Sequence, residues 1–296
     1  MPAACKINGL FSRKVGTGNA PMFRHFPIFG FDMEKLSAVI IAYNEEKNIE
    51  RCILSLQSVA DEIVVLDSFS TDRTQEICQK HNVKFYQHRF AGYIEQKNKA
   101  ITYASHPLVL SLDADEALSG TLQKAILAVK KNRQADGYTM NRRTNYCGRW
   151  IRYCGWYPDR KLRLFDVRKG KWAGLNPHDR FEMKPGAVVK HLPGDLLHFS
   201  YYSVEQHRQQ VENFSTIAAR AKFQHHEKAT LLKIWVSPML KFFKCYFIRL
   251  GFLEGKLGWK ICTLSASESY KKYKKLKALS QRKKPENQQP GNRKVL

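Results

Sequence analysis

An α/β fold with a mostly parallel sheet and helices on both faces is what three features of the sequence predict. Short apolar runs rich in β-branched residues alternate with helix-period segments about every 25–30 residues, the pattern of right-handed βαβ units. The runs are nearly continuous in apolar residues, as befits strands buried on both faces. Three of them end in polar clusters, AYNEE (42–46), DSFSTD (67–72) and DADE (113–116). In such sheets ligands sit beyond the carboxyl ends of the strands, so the three clusters should surround one crevice.

The elements follow in order. LSAVIIAY (36–43) reads as the first strand. Asn44 can cap the helix that follows, Glu45 and Glu46 suit its first turn, and Ile49, Cys52, Ile53 and Leu56 recur at helical spacing. DEIVVLDSFS (61–70) holds a second strand and TDRTQEICQKH (71–81) a capped helix. VKFYQHR (83–89) is a third strand, GYIEQKNKAITYAS (92–105) a helix, LVLSLDAD (108–115) a fourth strand and TLQKAILAVKKN (121–132) a further helix. From about residue 137 the chain becomes dense in aromatics and Arg, which reads as short strands and loops covering the crevice and building a second subsite. Residues 203–228 form a polar helix. Residues 229–275 combine Trp, Phe, Leu and Ile with Lys and Arg, broken by Pro238, Gly251, Gly255 and Gly258 into two or three helical pieces, and 276–296 are a basic, disordered tail.

The 296 residues suit one large domain, or one domain and an appendage, and 43% apolar content supports a core. A net charge of +24 implies an anionic partner: nucleic acid, acidic lipid or a phosphorylated substrate. The seven cysteines are scattered, and Cys147 and Cys154 do not make a CxxC pair, so their spacing predicts no zinc motif. Residues 1–34 lack a sustained apolar core, and two readings stay open: a segment upstream of a functional start at Met33, or a disordered arm. Lys233, Lys241, Lys244 and Arg249 interrupt the most apolar stretch, which argues against a membrane span.

Asp113 and Asp115 carry the sharpest chemistry. Two carboxylates at a strand end can turn toward one bound object, and hard oxygen ligands suit Mg²⁺ or Mn²⁺ with open positions for phosphate oxygens. An isolated DxD is ordinarily a solvated acidic turn; its place after a buried strand, beside two other polar clusters, favours the metal. Asp67 can accept hydrogen bonds from a base or ribose, whereas Asp72 reads as a helix cap. Ala42 and Tyr43 can flank a nucleobase while Glu45 accepts a ribose hydroxyl, or the segment is a plain strand end and cap. Lys97 can face a diphosphate or lie on a solvated helix face. Neither GxxxxGK[ST] nor GxGxxG follows the first strand, so a P-loop NTPase and a dinucleotide enzyme fit poorly.

VIIAYNEEKNIERCILSL, VLDSFSTDRT, QKNKA and LSLDADE, taken in order and spacing, resemble the family 2 glycosyltransferases of the GT-A fold. GRWIRYCGWYPDRKLRLF, LNPHDRF and LLHFSYYSVEQHRQQVENFSTIAA are similar to the subfamily of lipopolysaccharide-core β-1,4-glucosyltransferases. The resemblance runs from about Leu36 to about Lys275. It implies a GT-A domain over 35–228, with a donor half to about 136 and an acceptor half from about 137. It implies an inverting, peripheral enzyme at the cytoplasmic face of the inner membrane, transferring a hexose, glucose foremost, from a UDP-sugar to a lipopolysaccharide-core or other lipid-linked saccharide. Mg²⁺ or Mn²⁺ would be held by Asp115 and Asp113, with His198 a further ligand or else a satisfied buried histidine. Asp179 is the candidate base, with His178 beside it, although the family usually shows His-Glu where this chain has His-Asp; a surface loop is the plainer alternative. Trp156, Tyr157, Asp159 and Arg163 would shape the acceptor site or its lid, and Arg142, Arg143 and Arg149 would hold phosphates. The C-terminal mixture of cations and apolar residues suits a membrane surface, against the alternative of a packed helical pair. No specific nucleic-acid partner is expected. Rival readings are a metal-dependent nucleotidyltransferase and a glycosyltransferase acting on another envelope acceptor.

Overall fold

The structure, a computed structural model, describes residues 33–175 and 178–282. The expectations for residues 1–32 lie outside the described residues.

The first half follows the βαβ pattern: β1 (Leu36–Ala42), α1 (Ile49–Leu56), β2 (Glu62–Asp67), α2 (Thr74–Lys80), β3 (Lys84–Gln87), α3 (Tyr93–Ile101) and β4 (Leu108–Asp113). The four strands pair in parallel in the order β3-β2-β1-β4. β1 shows why its run is apolar throughout. Leu36, Ala38 and Ile40 pack on one face against Ile49, Ile53 and Leu56 of α1, and Val39 packs on the other with Ala100 of α3. A strand covered by helices on both sides has no wet face on which to place polar residues.

The second half continues through β5 (Glu116–Leu118), α4 (Gly120–Lys131), β6 (Gly137–Tyr146), β7 (Arg149–Trp150), β8 (Asp159–Asp166), β9 (Gly170–Leu175), β10 (His178–Met183) and β11 (Val189–Tyr201). These strands correct the expectation of short strands and loops laid over a crevice. β8 inserts antiparallel between β4 and β6, and β11 lies parallel to β6. One nine-stranded sheet results, in the order β3-β2-β1-β4-β8-β6-β11-β5 with β7 on β6, while β9 and β10 form a separate hairpin. The pattern hid these strands because Arg142 and Arg143 sit within β6 and Arg163 within β8; charged residues inside a strand blur its apolar signature.

The chain ends in α5 (Val204–Gln224), opened by a Ser203–Gln206 capping box, then α6 (Leu231–Phe243) and α7 (Gly255–Arg282). A π-helical segment at Lys244–Ile248 and a 3₁₀ turn at Gly251–Glu254 join the last two. α7 packs against α5 and α6. It runs past residue 276, where a disordered tail was expected, because Leu276 is fully buried and Lys275 donates to Ser215 Oγ and Glu212 O of α5, each at 2.9 Å. Residues 283–296 lie outside the described residues. Among those described, no helix is long and apolar enough to cross a membrane.

Candidate active site

The strand-end loops of β1 and β2 are locked together by their polar residues. Asn44 N donates to Ser70 Oγ at 2.8 Å, Thr71 N returns a bond to Asn44 Oδ1 at 2.8 Å, and Glu45 N donates to Thr74 Oγ1 at 2.8 Å. Asp72 accepts from Thr74 N and from Glu46 N, each at 3.0 Å; it lies one residue before Arg73, the N-cap of α2, and so ties the two loops together rather than capping the helix as expected. Asn44 and Phe69 have φ of 53° and 61°. Those turns place Tyr43 and Phe69 in the lining of a cavity of about 860 Å³, with Ala42, Glu45, Phe90 and Tyr93. Asp67 is fully buried instead and accepts from Ser70 N at 2.8 Å and from the Ser70 hydroxyl. It fastens the turn and, unlike Tyr43 and Phe69, does not line this cavity.

A second cavity, of about 620 Å³, adjoins the first and shares Tyr93, Asp113, Asp115 and His198 with it. Lys97, Arg142, Trp172 and Asp179 line its far side. The DADE cluster thus stands on the wall between two cavities.

Its carboxylates divide the work. Asp113 Oδ1 lies 2.9 Å from Lys97 Nζ, and Asp113 Oδ2 lies 2.7 Å from Arg163 Nη2. Burial alone would raise the Asp113 pKa; the charges of Lys97 and Arg163 overcome it and hold the carboxyl far below the usual carboxylate range. Each oxygen thereby meets a cation, so Asp113 brings no uncompensated charge to a paired-aspartate clamp. Lys97 is only 2% exposed. It also donates to Asp179 Oδ2 at 2.7 Å and lies 4.6 Å from the Trp172 ring centre, so it joins two carboxylates at the wall of the second cavity rather than lying on a solvated helix face. Glu116 is buried too, accepting from Asp113 N at 3.0 Å and from Arg163 Nη2 at 2.9 Å.

Asp115 is placed differently. Its Oδ2 lies 3.1 Å from His198 Nε2 of β11, and both residues border both cavities. Adjacent oxygen and nitrogen ligands about 2.1 Å from an octahedral cation lie about 3 Å apart. The donor pair therefore fits Mg²⁺ or Mn²⁺ in separation and in chemistry. Glu45, which borders the first cavity, accepts from Asn48 Nδ2 at 2.7 Å. Burial, opposed by that bond and reinforced by Asp115, raises its pKa to about 7.

The expected acceptor residues separate. Arg163 is a buried counter-ion of Asp113 that also lines the second cavity. Trp156 packs edge-on to Tyr146 at 5.7 Å between ring centres, and the Tyr157 hydroxyl donates to Asp195 Oδ1 at 2.9 Å. Neither lines the two cavities described above; they fasten the segment between β7 and β8. Asp159 accepts twice from Arg142, at 3.0 and 2.7 Å, and so fixes that cavity-lining guanidinium rather than shaping a lid. Arg149 pairs with Glu254 at 3.4 Å. Of His178 only the backbone in β10 is described, and its side chain lies outside the described residues. Sequence reasoning missed Phe69, Phe90 and Tyr93 in the first cavity. Tyr93 alone left a signal, four residues before Lys97 on one helix face.

A family model described as "Glycosyl transferase family 2" matches residues 37–184, half of the chain. An uncharacterized glycosyltransferase of Rickettsia bellii is 28% identical over 262 residues, which are 83% of this chain and 87% of that protein. The lipopolysaccharide core biosynthesis glycosyltransferase LpsC of Rhizobium meliloti is 28% identical over 256 residues, covering 80% and 93%. Among solved structures, S. aureus TarS 1–349 in complex with UDP aligns with a TM-score of 0.42 at 16% identity, over 84% of this chain and 91% of that one.

Proposed function

The chain belongs to glycosyl transferase family 2 and is a glycosyltransferase, and within that family we propose that it moves a hexose, glucose foremost, from a UDP-sugar to a lipopolysaccharide-core or other lipid-linked saccharide, with inversion. Family membership sets aside nucleotidyl transfer. The observation that carries the proposal is the wall between the cavities, where Asp113, Asp115 and His198 face both sides. The likeness to LpsC supports the choice of acceptor.

The first cavity suits the nucleotide, with the exposed rings of Tyr43 and Phe69 offering faces to a base. Asp113, kept ionised by Lys97 and Arg163, accepts from a sugar or ribose hydroxyl of the donor. Asp115 and His198 would hold Mg²⁺ or Mn²⁺, which when bound supplies Lewis-acid stabilisation of the departing diphosphate. Asp179 lines the second cavity and takes the proton of the acceptor hydroxyl as that oxygen bonds the anomeric carbon and the sugar–diphosphate bond breaks toward the phosphate. Lys97 holds Asp179 by Oδ2 and fixes its aim.

The C-terminal helices support a peripheral place on the cytoplasmic face of the inner membrane. Leu232 and Met239 are each 71% exposed, and Trp235, Phe243, Phe247, Ile248 and Trp259 are also exposed. Lys233, Lys241, Lys244, Lys256 and Lys260 stand exposed among them. An apolar surface studded with cations suits the acyl boundary below acidic headgroups. The test is UDP release from UDP-glucose with a lipid-linked saccharide and Mn²⁺. Asp115→Asn should lower turnover roughly 100-fold or more, the several kcal/mol that metal assistance supplies. Wild-type turnover in that variant, or in His198→Ala, sinks the mechanism.

A further inference from the structure

Three cysteines that the catalytic reading leaves unused meet inside the C-terminal helical unit. Cys154 follows β7, Cys245 lies in the π-helical segment, and Cys262 lies in α7. All three are buried, and their sulfurs lie within 4.8 Å of one another. Cys262 Sγ is 2.9 Å from Cys245 Sγ and 3.7 Å from Cys154 Sγ. Thiolates about 2.3 Å from a tetrahedral ion lie about 3.8 Å apart; the Cys262–Cys154 separation matches that value, and the Cys262–Cys245 separation is shorter.

The backbone around them is unusual where it forms the cluster. Cys154 has φ 61° and Leu250 φ 52°, sparsely populated for non-glycine residues. Cys245 occupies the described chain's π-helical segment, a feature often found at functional sites. A Cβ on Gly251 would lie 2.8 Å from Cys262 Sγ and 3.1 Å from Cys154 Sγ, so a side chain there would fill the hollow beside the thiols. A Cβ on Gly258 would lie 1.9 Å from Gly251 O, so glycine at both positions lets α7 approach closely enough to bring Cys262 in, one turn on. Plain packing of three buried thiols as small hydrophobes explains the burial. It does not explain three sulfurs converging from three elements.

We infer that Cys154, Cys245 and Cys262 form a thiolate site for one soft divalent cation, of the Zn²⁺ class. Soft sulfur ligands select such an ion over Mg²⁺, which separates the site from Asp115 and His198. Binding makes three sulfur–metal bonds, and the thiol protons leave to solvent. Water can complete the tetrahedron. The site would rivet the α6–α7 hairpin to the segment before β8, where Glu254 already accepts from Arg152 N at 2.8 Å and Tyr153 N at 3.1 Å. It would thereby hold the apolar membrane-facing surface in register with the catalytic sheet.

The test uses the full chain, purified under reducing conditions without chelator, with metal measured by mass spectrometry. One Zn²⁺ per chain is expected, and Co²⁺ exchange should give the near-ultraviolet sulfur-to-cobalt charge-transfer band. Cys245→Ser and Cys262→Ser should lose the band and the metal, while Cys52→Ser keeps both. Asp115→Asn should keep both while losing turnover, which distinguishes failure of this site from failure of the proposed reaction. If the serine variants do not fold, mercurial titration of the wild type should release the Zn²⁺ as three thiols react. Reduced thiols without metal, metal retained in Cys154→Ser/Cys245→Ser/Cys262→Ser, or an intact mass two daltons low from a Cys245–Cys262 disulfide would each overturn the inference.

Discussion

Arg163→Met tests whether the DADE cluster rests on a buried cation. Arg163 is 3% exposed, and its Nη2 lies 2.7 Å from Asp113 Oδ2 and 2.9 Å from Glu116 Oε1. At an effective dielectric of about 20, each contact of that length is worth roughly 6 kcal/mol gross. Desolvation of the guanidinium returns several kcal/mol of this, and Lys97 at 2.9 Å from Asp113 and Arg142 at 3.5 Å from Glu116 remain as partial partners. The net loss expected is therefore about 3–5 kcal/mol at neutral pH, the usual cost of stranding buried charge. It should be read by urea unfolding followed by fluorescence. The pH dependence follows from Asp113. Its folded pKa lies below the ordinary 3.8, so its stabilisation is complete above the unfolded value and fades as pH falls below it. The gap between wild type and variant should be full at pH 7 and narrow toward pH 3. A loss under about 1 kcal/mol, or a variant that only raises the KM for acceptor, would refute the reasoning and restore Arg163 to a lid.

Glu45 predicts the opposite pH trend. Its folded pKa of about 7 exceeds the ordinary 4.5, so in chelator-treated protein it costs stability progressively from about pH 4.5 to 7, by at most about 3 kcal/mol; Glu45→Gln should flatten that decline in a pH series of unfolding curves. Gly258→Ala sets a Cβ 1.9 Å from Gly251 O and should cost about 1–3 kcal/mol or more by overpacking, measured by thermal unfolding; an unchanged Tm would show that α7 has room to move. Leu232→Glu/Met239→Glu should weaken flotation with anionic vesicles while leaving turnover of a water-soluble acceptor analogue near wild type. Equal vesicle binding would remove the membrane surface from the proposal.

By itself the sequence determined the first half of the sheet. Its βαβ alternation depends on local periodicity and on strands that are apolar because both faces are covered, and both features lie within short windows of chain. The order of polar clusters at the strand ends likewise placed Asp113 and Asp115 correctly. What each carboxylate does was decided only by tertiary structure. Lys97, Arg163 and His198 come from α3, β8 and β11, so no local spacing could show that Asp113 is paired and that Asp115 faces His198. Glu116, without a role in the sequence, acquires one when β8 brings Arg163 beneath it. The thiol cluster was hidden in the same way, since residues 154, 245 and 262 match no metal-ligand spacing. The physical reason is common to these cases: charge pairing and ligation act over about 3–4 Å in space, and the fold, not chain distance, sets which groups come that close.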